Sequence, residues 1–468
     1  MTKSSITISR AFKLIVSALK GEETEFTSGS INKAIILLSI PMIAEMIGEA
    51  LFAIVDMIFV SRISVNAIAT VALTESPLMI IYSVAVGLSM AATAIVARRV
   101  GEKNHEKAAN AGVQSILIAI VVGLVLGVPG FFYAEEILSM MGGETDLIAE
   151  GVGYTKIMYA GNISIILIFL INGIFRGAGN ASIAMKSLLI ANGLNMILDP
   201  IFIFGLGPIP AFGVEGAAIA TTTGRSVGVI YQIVHLVNGS SIIKITWENF
   251  VIRFKTIKEI ISVSIGGIGQ FIVESLSWLF LVRVIAEFGT EAIAGYQMSF
   301  RMIVFTILPS WGMANAAATL VGQNLGAGKP DRAETSVWRT AKWNTIFLVA
   351  ISIVFGIFAD EILSIFNQSG VVQQTAIDAL RIICFGYIFF AYGMVIGQSF
   401  NGAGDTKTPL YINLVIFWVI QIPMAWLLAI ELNWGPEGVF FCIAFCHSLY
   451  AIVAIWLFKR GKWKTIQV

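Results

Sequence analysis

The chain has 468 residues, of which 57% are apolar and 13% charged, with 30 Lys and Arg against 29 Asp and Glu. Ordinary soluble domains carry about 25% charged residues, so a soluble enzyme, a disordered chain and a coiled coil are poor readings. A net charge of +1 offers no basic field for nucleic acid.

Residues 1–33 hold no uncharged apolar stretch of the secretory-signal kind. Phe12, Ile15, Val16 and Leu19 recur at helical spacing beside Arg10, Lys13 and Lys20, which predicts a basic amphipathic helix on the membrane surface. A helix crossing ~30 Å of hydrocarbon needs about 20 mostly apolar residues. Twelve such segments follow: 34–60, 66–97, 112–133, 154–175, 183–206, 214–237, 259–286, 291–321, 343–359, 379–400, 408–430 and 437–458. The fold class is therefore an all-α integral membrane protein of about twelve transmembrane helices. Lys and Arg gather in the N-terminal arm, in the loops after the second, sixth and eighth spans, and in the tail at 459–468. That asymmetry places both termini in the cytoplasm of a multi-pass protein, expected in the plasma (inner) membrane.

The two halves match at an offset of 225 residues. Ala67-Ile68-Ala69 matches Ala292-Ile293-Ala294, Gly87 matches Gly312, Gly101 matches Gly326, and Gly177-Ala178-Gly179-Asn180 matches Gly402-Ala403-Gly404-Asp405. This predicts two pseudo-symmetric six-helix bundles, 34–238 and 259–458, joined by a cytoplasmic linker at 239–258. Two like bundles facing each other enclose a central cleft suited to alternating access.

An ionisable group inside a span is costly and is a functional candidate by default. In the first span Glu45, Glu49 and Asp56 share one helix face, and in the fifth Asn192, Asn195 and Asp199 share another. Gln270 and Glu274 are the repeat partners of Glu45 and Glu49, whereas Asp56 and Asp199 have none. A carboxylate pair in an apolar bundle can take up and release a proton, or hold a small cation with amide and hydroxyl oxygens. Pro41 marks a candidate bend through which such an event could reshape the cleft. Arg176 reads as a helix-end side chain reaching toward water. Cys442, Cys446 and His447 lie in an apolar span, and no second cluster completes a metal site. No phosphate-binding loop or catalytic constellation appears, so neither ATP use nor an enzyme is expected.

Several stretches together resemble the multidrug and toxic compound extrusion (MATE) transporters. They are Pro41 with Val55-Asp56 and Phe59-Val60; Arg176 to Asn180; Asn195 with Leu198-Asp199-Pro200; Gly213 to Thr221; Gln297; Gly322 to Gly328; and Asn401 to Thr406. The resemblance spans roughly 30–460 and implies efflux of organic cations and drugs driven by inward movement of protons or sodium, with no other cofactor. It assigns Asp56, Asn195, Asp199 and Thr221 to the ion site of the first bundle, Glu274 to a cation site of the second, and Pro41 to helix bending. Two departures stand out. The tenth-helix Asp of one bacterial branch is replaced by an apolar residue near Phe390, and Glu45 and Glu49 are more acidic than usual there. Glu49 is taken with the ion-coupling set, and Glu45, Gln270, Gln297 and Asn192 with the substrate cleft. The alternative is a lipid-linked oligosaccharide flippase of the same superfamily. That activity would need basic residues in the cleft, where the spans offer acids. Small molecules and the lipid bilayer are the expected partners, with no nucleic acid.

Overall fold

The computed structural model describes residues 13–21, 26–239, 242–366 and 369–467. Residues 13–20 form α1. The first half continues through α2 (Ile31–Val60), α3 (Val65–Gly101), α4 (His105–Phe132), α5 (Ala134–Met140), α6 (Thr145–Ala160), α7 (Asn162–Ala178), α8 (Ala181–Phe204) and α9 (Val214–Asn238). The second half comprises α10 (Phe254–Ala286), α11 (Thr290–Gly326), α12 (Pro330–Ser364), α13 (Val371–Phe385), α14 (Tyr387–Ala403), α15 (Lys407–Glu431) and α16 (Pro436–Lys459). Among the described residues, nine helices are long and apolar enough to cross a membrane. The bent pairs α6/α7 (40°) and α13/α14 (56°) raise the number to eleven. The remaining expected segment is present as α9, 25 residues long. Its Thr221-Thr222-Thr223-Gly224-Arg225-Ser226 run makes it too polar to qualify on composition. The two breaks, at Gly161 and Gly386, stand at the repeat offset and leave no trace in hydropathy.

Local chemistry sets the helix ends. Ser64 caps α3 by accepting from the Ala67 amide (2.9 Å), and Asn104 caps α4 through Lys107 (3.0 Å). Gly179 and Gly404, again one offset apart, close α7 and α14 at φ 89° and 88°, a conformation that disfavours other residues. The α2 helix runs unbroken through Pro41.

Two apolar cores form, one drawn mainly from the first half with Ile260 and Val263 of α10 added, and one from residues between Leu281 and Trp463 of the second. The halves meet at their basic-loop ends through close backbone packing. A Cβ added to Gly87 of α3 would stand 2.6 Å from the Ile268 amide of α10, and one on Gly312 of α11 would stand 2.9 Å from the Ile43 amide of α2. At the helix ends, a Cβ on Gly101 would fall 2.0 Å from the Gln323 carbonyl oxygen, and one on Gly326 2.1 Å from that of Arg98. Both pairs obey the offset of 225, so the seam is itself two-fold.

The termini reinforce this seam. Lys329 donates to the Thr27 carbonyl (2.9 Å), and Arg332 to those of Phe26 (3.2 Å), Ser28 (2.8 Å) and Gly29 (3.0 Å). From the other half, Arg98 donates to the Ile466 carbonyl, while Lys464 pairs with Glu334 at 2.6 Å and Asp331 at 3.3 Å. The α1 helix was expected on the bilayer surface, but it also docks on protein. Leu14 and Ala18 join a core with Phe26, Leu37 and Leu320, and Ser182 donates to the Leu19 carbonyl at 2.6 Å. Ile15 remains exposed, and Phe12 lies outside the described residues.

Candidate functional site

Beyond the seam the halves diverge around a chamber of about 960 Å³. Its first wall carries Glu49, Phe52, Glu75, Tyr82, Arg176 and Arg225, and its second Trp278, Gln297, Phe300, Trp311, Asn315 and Gln398. Of the four residues assigned to the cleft from sequence, Gln297 lines it. Glu45, Gln270 and Asn192 are buried within their own bundles instead.

Apart from Glu75, charge in the first wall is paired. Glu45 is fully buried and accepts from Arg176 and from Asn172 (3.0 Å). Arg176 is therefore no water-seeking helix end: it is buried and paired with Glu45. Asn172 in turn accepts from Ser187 (3.0 Å) and Gln232 (2.5 Å), which fixes the amide that faces Glu45. One turn along α2, Glu49 accepts two bonds from Arg225, at 2.7 and 3.1 Å, in the fork geometry that suits a guanidinium. The Arg225 guanidinium lies 5.2 Å from the Phe52 ring centre and 5.6 Å from that of Phe169. The cleft thus holds two arginines, contrary to the expectation of acids alone. Each is matched by a glutamate.

The second half repeats the outer pair in neutral form. Gln270 and Asn401, the offset partners of Glu45 and Arg176, exchange bonds of 2.9 and 3.2 Å. Glu274, the partner of Glu49, is exposed on α10 beside Tyr450 and does not line the chamber.

Toward the far end of the first bundle, α2, α8 and α9 bring Asp56, Asn195, Asp199 and Thr221 together. The Asp56 and Asp199 carboxyls face each other within hydrogen-bonding reach. Asn195 donates to Asp199 (3.1 Å) and to Thr221 (3.0 Å). One oxygen each on Asp56, Asp199 and Asn195, and the Asn192 amide nitrogen nearby on α8, are buried with no protein partner. Among the described residues neither aspartate is in a salt bridge. Two carboxyls in contact are stabilised by one positive charge between them, and three orphaned acceptors suit a shared proton or a small cation with oxygen ligands. Cys442 and Cys446 are buried, and His447 stacks on Phe390 at 4.1 Å, as core aromatics do.

Comparison with known proteins decides the family. The MatE family model matches twice in tandem, over residues 41–201 and 268–427. The chain belongs to the MatE family. It is 24% identical to "Probable multidrug resistance protein NorM" of Thermotoga maritima, over 93% of both chains. It is 23% identical to "Multidrug export protein MepA" of Staphylococcus aureus, over 92% of this chain and 94% of that one. A solved structure described as "Outward-facing conformation of a multidrug resistance MATE family transporter of the MOP superfamily" superposes with a TM-score of 0.88. It is 27% identical, over 95% of this chain and 99% of the other. This MatE protein is a multi-pass membrane transporter, not an enzyme. The relatives named for drug resistance give no support to the flippase alternative.

Sequence reading missed Glu75 and Arg225. Both are ionisable residues inside spans, and the rule that singled out Asp56 and Asp199 applies to them equally.

Proposed function

We propose that this transporter exports drugs or organic cations by alternating access, in exchange for protons or sodium bound at Asp56 and Asp199 with Asn195 and Thr221. The reading rests above all on the Asp56–Asp199 contact: two carboxyls meet inside the first bundle with orphaned acceptors and, among the described residues, no salt bridge. The ion site adjoins the chamber without sharing its wall, so ion and drug occupy different places and are coupled at a distance. Glu49 is already neutralised by Arg225, so it shapes the chamber and is a weaker candidate for the ion. Glu274 is reserved as a second cation contact.

The lysine- and arginine-rich loops support a cytoplasmic position for the seam, both termini and the linker 239–258, with bundles 34–238 and 259–458 on either side. The chamber then opens outward, in keeping with the outward-facing relative. A pyrophosphate-bearing lipid would need a free cationic site, and both chamber arginines are held by glutamates.

Ethidium export from cells lacking other efflux pumps tests the reading. Asp56→Asn and Asp199→Asn should abolish export at normal membrane levels, while export undiminished in both would remove the ion site. Collapsing the proton gradient with and without sodium identifies the coupling ion.

A further inference from the structure

Among the described residues, four charged side chains face the chamber, and all four come from the first half: Glu49, Glu75, Arg176 and Arg225. Three of them are already satisfied. Arg225 grips Glu49 with two bonds, and Arg176 is paired with Glu45 behind the wall. Glu75 of α3 differs. Its side chain is exposed to the chamber, and among the described residues no hydrogen bond or salt bridge engages it. With the two ion pairs cancelling, the chamber keeps one uncompensated negative charge. Among the described residues the opposite wall carries no charged one. It presents aromatic rings, with Trp278 and Phe300 5.1 Å apart between ring centres, and Trp311 alongside.

We infer that Glu75 is the charge-recognition residue of the chamber: it holds the positive group of an amphipathic organic monocation whose apolar body rests on Trp278, Phe300 and Trp311. This deepens the export reading and rests on it. A carboxylate in a chamber of low polarity attracts a weakly hydrated organic cation more strongly than it would in water, because the surrounding medium screens less. Aromatic faces add a non-directional apolar surface and their own attraction for cations. One uncompensated charge selects monocations over neutral molecules and repels anions, since neither arginine is free to receive them. Glu75 is also an electrostatic neighbour of Asp56. A cation on Glu75 and a positive charge at Asp56 relieve the same repulsion, so each weakens binding of the other, as exchange requires.

The test uses full-length protein in lipid nanodiscs and two probes of similar shape, radiolabelled tetraphenylphosphonium and neutral triphenylphosphine oxide. Glu75→Gln should weaken tetraphenylphosphonium binding by about tenfold or more, as expected on losing one partner of a charge pair. Binding of triphenylphosphine oxide should stay within about twofold of wild type, which also shows that the variant is folded. Glu75→Asp, which keeps the charge, should retain cation selectivity. Equal binding of tetraphenylphosphonium by wild type and Glu75→Gln would overturn the assignment, as would parallel loss of both probes. Wild-type protein that binds neither probe would overturn the export reading itself, a pattern distinct from the other two.

Discussion

The repeat contains its own control for the Glu45–Arg176 pair, because the second half holds Gln270 and Asn401 at the same two places. Glu45 is wholly buried and the Arg176 side chain is 10% exposed. Glu45→Gln leaves the guanidinium without its counter-charge in an apolar setting, a change that costs about 3–5 kcal/mol when one partner of a buried pair is removed. The amide oxygen can still accept from Asn172, and Arg176 touches the chamber, so the lower figure of about 3 kcal/mol applies. In a unit the size of one bundle, 1 kcal/mol moves the melting temperature by roughly 2–4 °C, giving a loss of about 6–12 °C. Adding Arg176→Asn removes the stranded charge and copies the neutral pair that bonds at 2.9 and 3.2 Å in the second half. The shorter side chain opens into the chamber and leaves no sealed void. The double variant should therefore return to within about 1 kcal/mol of wild type, a recovery of about 2 kcal/mol over the single variant, because the two residues are in contact and their effects do not add. Thermal stability of detergent-solubilised protein, read by size-exclusion chromatography after heating, measures this. A Glu45→Gln protein as stable as wild type, or a double variant no better than the single, would refute the reasoning.

The seam gives a second prediction. Gly101→Val and Gly326→Val each force a side chain into backbone at about 2 Å. Either should spread the basic-loop ends and raise spin-label distances between α3 and α11, and unchanged distances would show that the seam yields elsewhere. A third concerns the clasp: Arg332→Ala removes three bonds to the arm. It should speed modification of a cysteine placed at Ser28 without lowering expression. A fourth concerns pH. Glu334, and then Asp331, hold the Lys464 ammonium above the ordinary lysine range. The tail contact is therefore fully present at and below neutral pH and is lost only as pH rises through that elevated range. In a variant that keeps Trp463 as its only tryptophan, the fluorescence of this ring, which stacks on Phe458 at 4.6 Å, should stay constant from pH 6 to 9 and change at higher pH.

Much of this was legible in the sequence because hydrocarbon imposes hard limits. Helix ends such as Val60, Ala286 and Lys459 fall at or within a residue of the expected boundaries, since span length is set by bilayer thickness. The offset of 225 was visible in the sequence, with Gly87 matching Gly312 and Gly101 matching Gly326, but that these glycines pack across the seam was not. Two kinds of feature were not legible. The bends at Gly161 and Gly386 depend on how short helices pack, and a glycine within an apolar run does not announce a break. The pairing of charges depends on which faces meet, and periodicity along one helix cannot supply that. Glu45 and Glu49 were visible as acids on one face of α2, but their partners sit on α7 and α9. Arg176, read along its own helix, pointed the wrong way.

Whether drug binding displaces an ion from the Asp56–Asp199 pair can be read in one experiment on purified protein in weak buffer, with pH and bound radioactive sodium followed as tetraphenylphosphonium is added. Wild type should release protons or sodium in step with drug binding, and Asp56→Asn/Asp199→Asn should bind the drug and release neither. Drug binding with no ion released by wild type, or release that persists in the double variant, would contradict the assignment of these two carboxyls.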